Sequence, residues 1–336
     1  MKLCMIGTRG HNGYVHAGLE KLPDVQVAGV SAGTPGGDPG GLKAWCNAHG
    51  HPGEVFDDWL AMLDAAQPDL LSVAGPFELH ADICVEAFRR GIHVFCEKPV
   101  ATTLAELARV RAAHEAAGVH FAAMMGLRYA PAFYTAWRAV QDGAVGTVRL
   151  ISTRKSYKLG ERSAFFRSRT TYPGTIPWVG SHAIDWIHWF SGEAFETVRA
   201  AHSTRDNRGH GDLEVSALCH FTMTNEVFAS ASIDYLRPPG APTHGDDRVR
   251  VAGTQGVVEV RGGEVFLVSG ETDGERQLAA ACGRQIFCDF VRHAAGEAEA
   301  LIGPEETFAV TEACLLARQS ADEGKPMAFP PRQRQP

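Results

Sequence analysis

Lys98 stands between Glu97 and Pro99, at the end of the apolar run Ile92–Cys96, and Gly91 precedes that run. A lysine so placed can do proton chemistry. Held out of water, an ammonium loses proton affinity and moves toward the working range of a general base. Pro99 removes a backbone donor and restricts Lys98 to extended conformations. An X-Pro bond can also be cis, which would aim the side chain differently. The competing reading is an ordinary Glu–Lys pair on a surface turn.

Two further stretches can carry chemistry. The first is Gly7-Thr8-Arg9-Gly10-His11-Asn12-Gly13, after the apolar run Leu3–Ile6. A glycine-rich turn from strand to helix lets backbone N–H groups approach a pyrophosphate at the helix N-terminus. The match to G-x-G-x-x-G is partial, because Gly10 and Gly13 each come one residue late, where Arg9 and Asn12 hold the expected places. No acidic residue ends the second apolar run to hold a ribose 2′-hydroxyl. Ser31 holds that place, a Gly-rich stretch from 33 to 41 follows, and no arginine comes close behind. Ser31 or Thr34 could bond either form, so NAD versus NADP stays open. The second stretch is His182 to Trp189. If it is helical, His182, Asp185, Trp186 and Trp189 share one face. A histidine there can exchange protons near neutrality, or it can be a core residue bonded to its neighbours. A metal reading of His182, Asp185 and His188 is weaker, since His188 lies off that face.

The elements that must position these residues alternate. Leu3–Ile6, Val25–Val30, Leu70–Val73 and the run before Lys98 read as strands buried on both faces. Tyr14–Leu22, Asp58–Ala65 and Leu79–Arg90 read as helices, with Asp57 or Asp58 capping the second and Gly91 ending the third. Strand–helix alternation predicts a doubly wound parallel sheet, with ligands outside the carboxyl ends of its strands. Further on, the runs at 150–153, 215–220, 227–233 and 257–260 read as strands, and Phe287–His293 and Phe308–Ala321 as amphipathic helices. Trp45 and Trp137 are read as core, and the residues from Pro330 onward as a frayed tail.

The chain has 336 residues, enough for two domains with a sizeable core. A net charge of −7 argues against nucleic-acid or acidic-membrane partners. Eight cysteines, none in a C-x-x-C pair, several within apolar runs, read as reduced core thiols of a cytoplasmic protein. The opening apolar run is too short for a secretion signal, and no run reaches the ~18 residues of a membrane span.

With these motifs assembled, the chain resembles the Gfo/Idh/MocA oxidoreductases, the family of glucose–fructose oxidoreductase and inositol dehydrogenase. The likeness rests on the Gly7 loop, the Pro76…His80 segment, G-I-H-V-F-C-E-K-P, Gly126-Leu127-Arg128-Tyr129-Ala130-Pro131, Gly143…Gly146, Gly180-Ser181-His182-Ala183-Ile184-Asp185 and Ala252-Gly253-Thr254-Gln255-Gly256, in that order. The resemblance implies a Rossmann domain over 1–122. It also implies a C-terminal α+β domain over 123–336, built on a large open, mostly antiparallel sheet that often packs against a second subunit. NAD or NADP would be held by Gly7, Thr8, Arg9, Gly10, His11, Asn12, Ser31, Pro76, His80, Glu97 and Lys98. Lys98 and His182 would share proton transfer beside the nicotinamide, and Arg128, Tyr129, Trp178 and Asp185 would face the substrate. Many relatives carry an aspartate four residues before the histidine. Here that place holds Trp178, which cannot accept a proton but can stack on a sugar ring.

The expected function is an NAD(P)-dependent dehydrogenase or reductase acting on a sugar, polyol or related hydroxy compound, in a homodimer or tetramer. The rivals are a family glycosidase or isomerase using transient oxidation, a non-catalytic dinucleotide-binding regulator, and a binding protein without dinucleotide. The basic segment Arg154 to Arg169 is a candidate receiver of a carboxylate or phosphate. The alternative for that segment is a solvated loop or subunit contact.

Overall fold

Short apolar strands alternating with helices can bury both sheet faces only if the helices cover them, and the first third of the chain does this. A computed structural model describes residues 1–51, 53–270 and 274–330. The residues from 331 onward, read from the sequence as a frayed tail, lie outside the described ones. In chain order the elements begin β1 (Lys2–Ile6), α1 (Asn12–Leu19), β2 (Gln26–Ser31), α2 (Gly40–Ala48), β3 (Glu54–Phe56) and α3 (Trp59–Ala66). They continue β4 (Leu70–Val73), α4 (His80–Arg89), β5 (His93–Cys96), α5 (Leu104–Ala117) and β6 (Phe121–Ala123). The six strands form one parallel sheet of order β3-β2-β1-β4-β5-β6. That is the doubly wound order of dinucleotide-binding folds, with the switch of direction between β1 and β4. Local chemistry sets the helix ends. The Asp58 side chain accepts from Leu60 N and caps α3, and a Thr103–Glu106 capping box opens α5.

The second part continues α6 (Pro131–Gln141), β7 (Val148–Lys158), α7 (Thr175–Trp178), α8 (Gly180–Ser191), β8 (Phe195–Ser203), β9 (Ser216–Met223) and β10 (Val227–Arg237). Then follow β11 (Gly245–Gly253), β12 (Gly256–Arg261), β13 (Glu264–Ser269), β14 (Arg276–Leu278), α9 (Ile286–Ala294), α10 (Pro304–Glu323) and β15 (Met327–Ala328). Nine strands make a second sheet, β14-β13-β12-β11-β7-β10-β9-β8-β15, antiparallel except for β7 beside β10. Helix α8 packs on β7 and β10. On β10 buried residues alternate with partly or fully exposed ones, as a sheet with unlike faces requires.

The chain divides into two compact units, Met1–Gly126 with Arg284–Phe308, and Leu127–Gly283 with Ala309–Pro336. Against the boundary at 122/123 expected from the sequence, the first unit runs on to Gly126 and takes in Arg284–Phe308. The reason is packing. The apolar face of α9 meets α1 and β5, with Phe287 and Phe290 against Phe95. Trp45 and Trp137 are half-buried rather than core. Trp45 stacks among His16, His49 and His51, and Trp137 stacks on Trp189. All eight cysteines are free thiols, seven of them buried. Among the described residues no helix is long and apolar enough to cross a membrane.

One buried histidine gives the first unit an acid sensitivity. His120 is 5% exposed and stacks on His293 at 3.9 Å, and its backbone N–H donates to His93 Nδ1 at 2.8 Å. Burial, then the nearby His293, His93 and His114, push its pKa down to about 3 from 6.5. The unfolded chain therefore takes up a proton as pH falls through ~6.5, and the folded chain does not until ~3. Stability present above pH ~6.5 is lost across that window, on the order of 4–5 kcal/mol at ~1.4 kcal/mol per unit. His120→Phe should flatten this part of the pH dependence. Urea midpoints at pH 7 and pH 4.5 check it; equal losses in the variant and the parent would refute the assignment.

Candidate active site

The loop after β1 is shaped by close approaches that only glycine permits. Gly7 has φ +87°, and a β-carbon there would strike the backbone of Gly75. Gly10 has φ +85°, and a β-carbon there would strike the Glu97 carboxylate. This explains the late glycine: position 10 must stay bare because the end of β5 presses against it. Gly7 N–H donates to Ser31 O, Arg9 N–H to Ala74 O, and Asn12 Nδ2 to Gly7 O, closing the loop on three sides. Thr8, Gly10 and Gly13 remain exposed. Helix α1 opens with no side-chain cap and no acidic residue in its first turn. A bare helix N-terminus beside a glycine loop suits a pyrophosphate, so these residues fit a dinucleotide.

Three residues expected to touch the dinucleotide are buried and bonded within the unit. Ser31 is fully buried because the last residue of β2 points inward, and its Oγ accepts from Gly33 N at 3.3 Å. His80 is fully buried at the start of α4. Its Nδ1 lies 2.9 Å from Pro99 O and its Nε2 3.1 Å from Gly75 O, so the neutral ring sits between the loops after β4 and β5 and donates to one of the two carbonyls. Burial pushes its pKa down, against the two carbonyls and Glu97. Glu97 is also fully buried, with Oε2 facing His11 and Oε1 accepting Lys98 N–H at 2.9 Å. Burial acts to raise its pKa, but His11 and Lys98 outweigh that and hold the carboxyl below its usual value. These internal bonds share one cause, since polar groups at the carboxyl edge of a buried sheet satisfy their own loops. Pro76 is likewise buried beneath the loop after β4. Lys98 follows Glu97 at that edge, 2% exposed, and the Lys98–Pro99 bond is cis.

In the second unit His182 lies on helix α8 and is 3% exposed. Asp185 and Arg128 form a buried pair, with Nε 3.0 and 3.1 Å from the two carboxylate oxygens and Nη2 2.6 Å from Oδ1. The guanidinium also sits 5.3 Å from the Trp189 ring. Arg128 and Asp185, expected from the resemblance to face substrate, are each other's charged partners. One turn of helix separates Asp185 from Trp189, so a single arginine meets both. Tyr129 is buried and Trp178 half-buried at the end of α7.

Four residues of the basic segment 154–169 are engaged within the unit. Arg154 pairs with Asp246, Lys155 with Asp247, Lys158 with the carbonyls of Pro239 and Ala241, and Arg169 with Glu214. Two acidic partners here escaped the sequence reading. Lys155 and Asp247 are direct cross-strand neighbours on β7 and β11, 2.6 Å apart, with the ammonium 5.6 Å from the Trp186 ring. Burial, working against Asp247, pushes the Lys155 pKa down. Glu214 is 1% exposed and accepts from Thr175 N at 3.0 Å, fixing the entry to α7. Partners 92 and 39 residues apart leave no local signal.

The fold and loop define a class: a two-unit chain whose first unit is built to hold a dinucleotide. Residues 1–149 match the model described as "Oxidoreductase family, NAD-binding Rossmann fold", and residues 133–259 match the GFO/IDH/MocA C-terminal domain. A solved structure from Thermotoga maritima is 46% identical, covers 98% of this chain and 100% of that one, and superposes with a TM-score of 0.93. The chain belongs to the Gfo/Idh/MocA oxidoreductase family. D-apiose dehydrogenase of Paraburkholderia graminis is 26% identical over 231 residues, 68% of this chain and 60% of that protein. Levoglucosan dehydrogenase, solved with NADH and levoglucosan, shares the fold at a TM-score of 0.84 and 18% identity, covering 98% of this chain and 100% of that one.

Proposed function

We propose that the chain is an NAD-dependent dehydrogenase that moves hydride between the nicotinamide and a hydroxyl-bearing carbon of a sugar or polyol. The observation that carries this reading is Lys98, set at the carboxyl edge of β5 and joined through Glu97 to the glycine loop. The dinucleotide supplies the hydride chemistry when bound. Gly7, Thr8, Gly10 and the first turn of α1 hold its pyrophosphate. Lys98 accepts the hydroxyl proton in the oxidative direction, and His182 shares that proton, in line with the family pattern. Trp178, replacing the aspartate of many relatives, offers an apolar face to the substrate, so no carboxylate at that position takes part. The sugar or polyol class follows the names borne by relatives such as D-apiose dehydrogenase. Eight reduced thiols suit a cytoplasmic setting.

NAD is assigned over NADP. No lysine or arginine lies between 22 and 42, while Asp38 on the loop after β2 accepts from Gly40 N and Asp57, just after β3, accepts from Gly36 N of that loop, at 2.7 Å each. Two carboxylates beside the ribose disfavour a 2′-phosphate. Fluorescence titration tests this: NADH is expected to bind at least ~10-fold more tightly than NADPH, a difference of ~1.4 kcal/mol. Equal affinities would refute the NAD assignment, and binding of neither would refute the enzyme reading.

The chain is further assigned a homo-oligomeric state through the uncovered face of its nine-stranded sheet. Phe228 and Leu150 are exposed there as cross-strand partners, with Leu218 exposed on β9. Large exposed apolar residues gathered on one sheet face mark a contact surface. Sedimentation velocity should show a dimer or tetramer that Phe228→Glu dissociates; a monomeric parent would refute it.

A further inference from the structure

The Glu97 carboxylate is enclosed, and its two oxygens serve different partners. Oε2 accepts the His11 backbone N–H at 2.6 Å and lies 2.7 Å from His11 Nδ1. An ionised carboxylate can only accept, so that ring nitrogen carries the proton. Oε1 accepts the Lys98 backbone N–H at 2.9 Å. A buried carboxylate costs several kcal/mol unless it is paired and hydrogen-bonded, so these contacts are not interchangeable with water. On one side they fix the glycine loop, because His11 precedes the first turn of α1 and Gly10 packs its bare α-carbon against the same carboxylate. On the other side they fix the lysine. Glu97 holds Lys98 by its N–H, while His80 holds the carbonyl of the next residue, Pro99.

We infer that Glu97 is a positioning residue through which one carboxylate sets both the shape of the dinucleotide loop and the pose and charge of Lys98. The inference rests on the roles proposed above for the loop and for Lys98. The charged or titratable groups facing Glu97 are His11, Lys98, His80 at the head of α4, and the Cys96 thiol on the adjoining strand. Removing the carboxylate's charge weakens the hold of Lys98 on its proton. A purely structural clasp would leave that proton affinity alone.

The test uses the full chain and needs no substrate. NADH affinity is read by fluorescence, and Lys98 is titrated by NMR after labelling lysine at the ε-carbon, the Lys98 signal being assigned by its absence in Lys98→Met. The chain has only seven lysines. Glu97→Gln is expected to raise the NADH Kd roughly 10-fold or more, as loss of a charged hydrogen bond does. It should also lower the Lys98 midpoint by about one unit. Glu97→Asp keeps the charge but not the reach, so it should weaken NADH binding while leaving the midpoint near that of the parent. A Gln variant with the parent's NADH Kd and an unmoved midpoint overturns the inference. If the Gln variant does not fold, His11→Phe and Glu97→Asp decide: parental NADH affinity in both overturns it. A parent chain that binds no NADH refutes the proposed function instead, and the Lys98 midpoint still reports on Glu97.

Discussion

Lys98→Met is expected to lower kcat by roughly 10³-fold while the protein still folds and binds NADH. The magnitude is that of losing a positioned general base, ~10²–10⁴. Methionine matches the lysine stem in length and is apolar, so a side chain only 2% exposed keeps its packing. Glu97 bonds to the Lys98 backbone rather than to the ammonium through Oε1, and that bond survives the change. His182→Ala should cost more than ~10-fold by the same reasoning, with a changed pH–rate profile. The measurement is steady-state turnover on a panel of sugars and polyols, paired with NADH titration. Near-parental kcat in Lys98→Met would remove the central role assigned to this residue. Lost NADH binding at parental kcat would point to a cofactor contact in place of a proton carrier.

The largest stability effect is expected at Asp185. Its carboxylate is the buried partner of Arg128, itself 2% exposed. Asp185→Ala leaves a guanidinium enclosed without its counter-charge, which costs ~3–5 kcal/mol. Asp185→Leu combined with Arg128→Met removes both charges, and the double variant should recover a large part of the loss. Urea unfolding of the single and double variants checks this. A single-variant loss below ~1 kcal/mol, the worth of an exposed pair, would show the site to be hydrated instead of dry. Asp185 sits in the helix that carries His182, so the experiment also asks whether that helix depends on the pair.

Local patterns made the first sheet legible. Leu3–Ile6, Leu70–Val73 and Val94–Cys96 are apolar throughout or nearly so, and such runs have no use except as strands covered on both faces. A cap at Asp57 or Asp58 was legible, and Asp58 supplies it; the His182 stretch was read as one face if helical, and it is helical. The proline after Lys98 and the glycines after β1 marked turns because no other residue types meet those backbone demands.

The roles of polar side chains were another matter. Arg128, Asp185, Ser31 and His80 have chemistry that suits a ligand, and in the sequence each looks available. Their partners lie 57, 57, 2 and 19 residues away, and three of those four separations exceed any local period. The order in which the chain revisits the sheet edges decides which buried donor meets which acceptor. The same applies to α9, whose amphipathic pattern was plain while its destination, the face of β5, was not. The sequence by itself determined the strands β1, β2, β4 and β5, the helices between several of them, the family and the position of Lys98, because period, turn chemistry and motif order are local properties. Only the tertiary structure decided that Glu97 faces His11, that Arg128 belongs to Asp185, and that the first unit closes with residues 284–308, because those are contacts between distant segments.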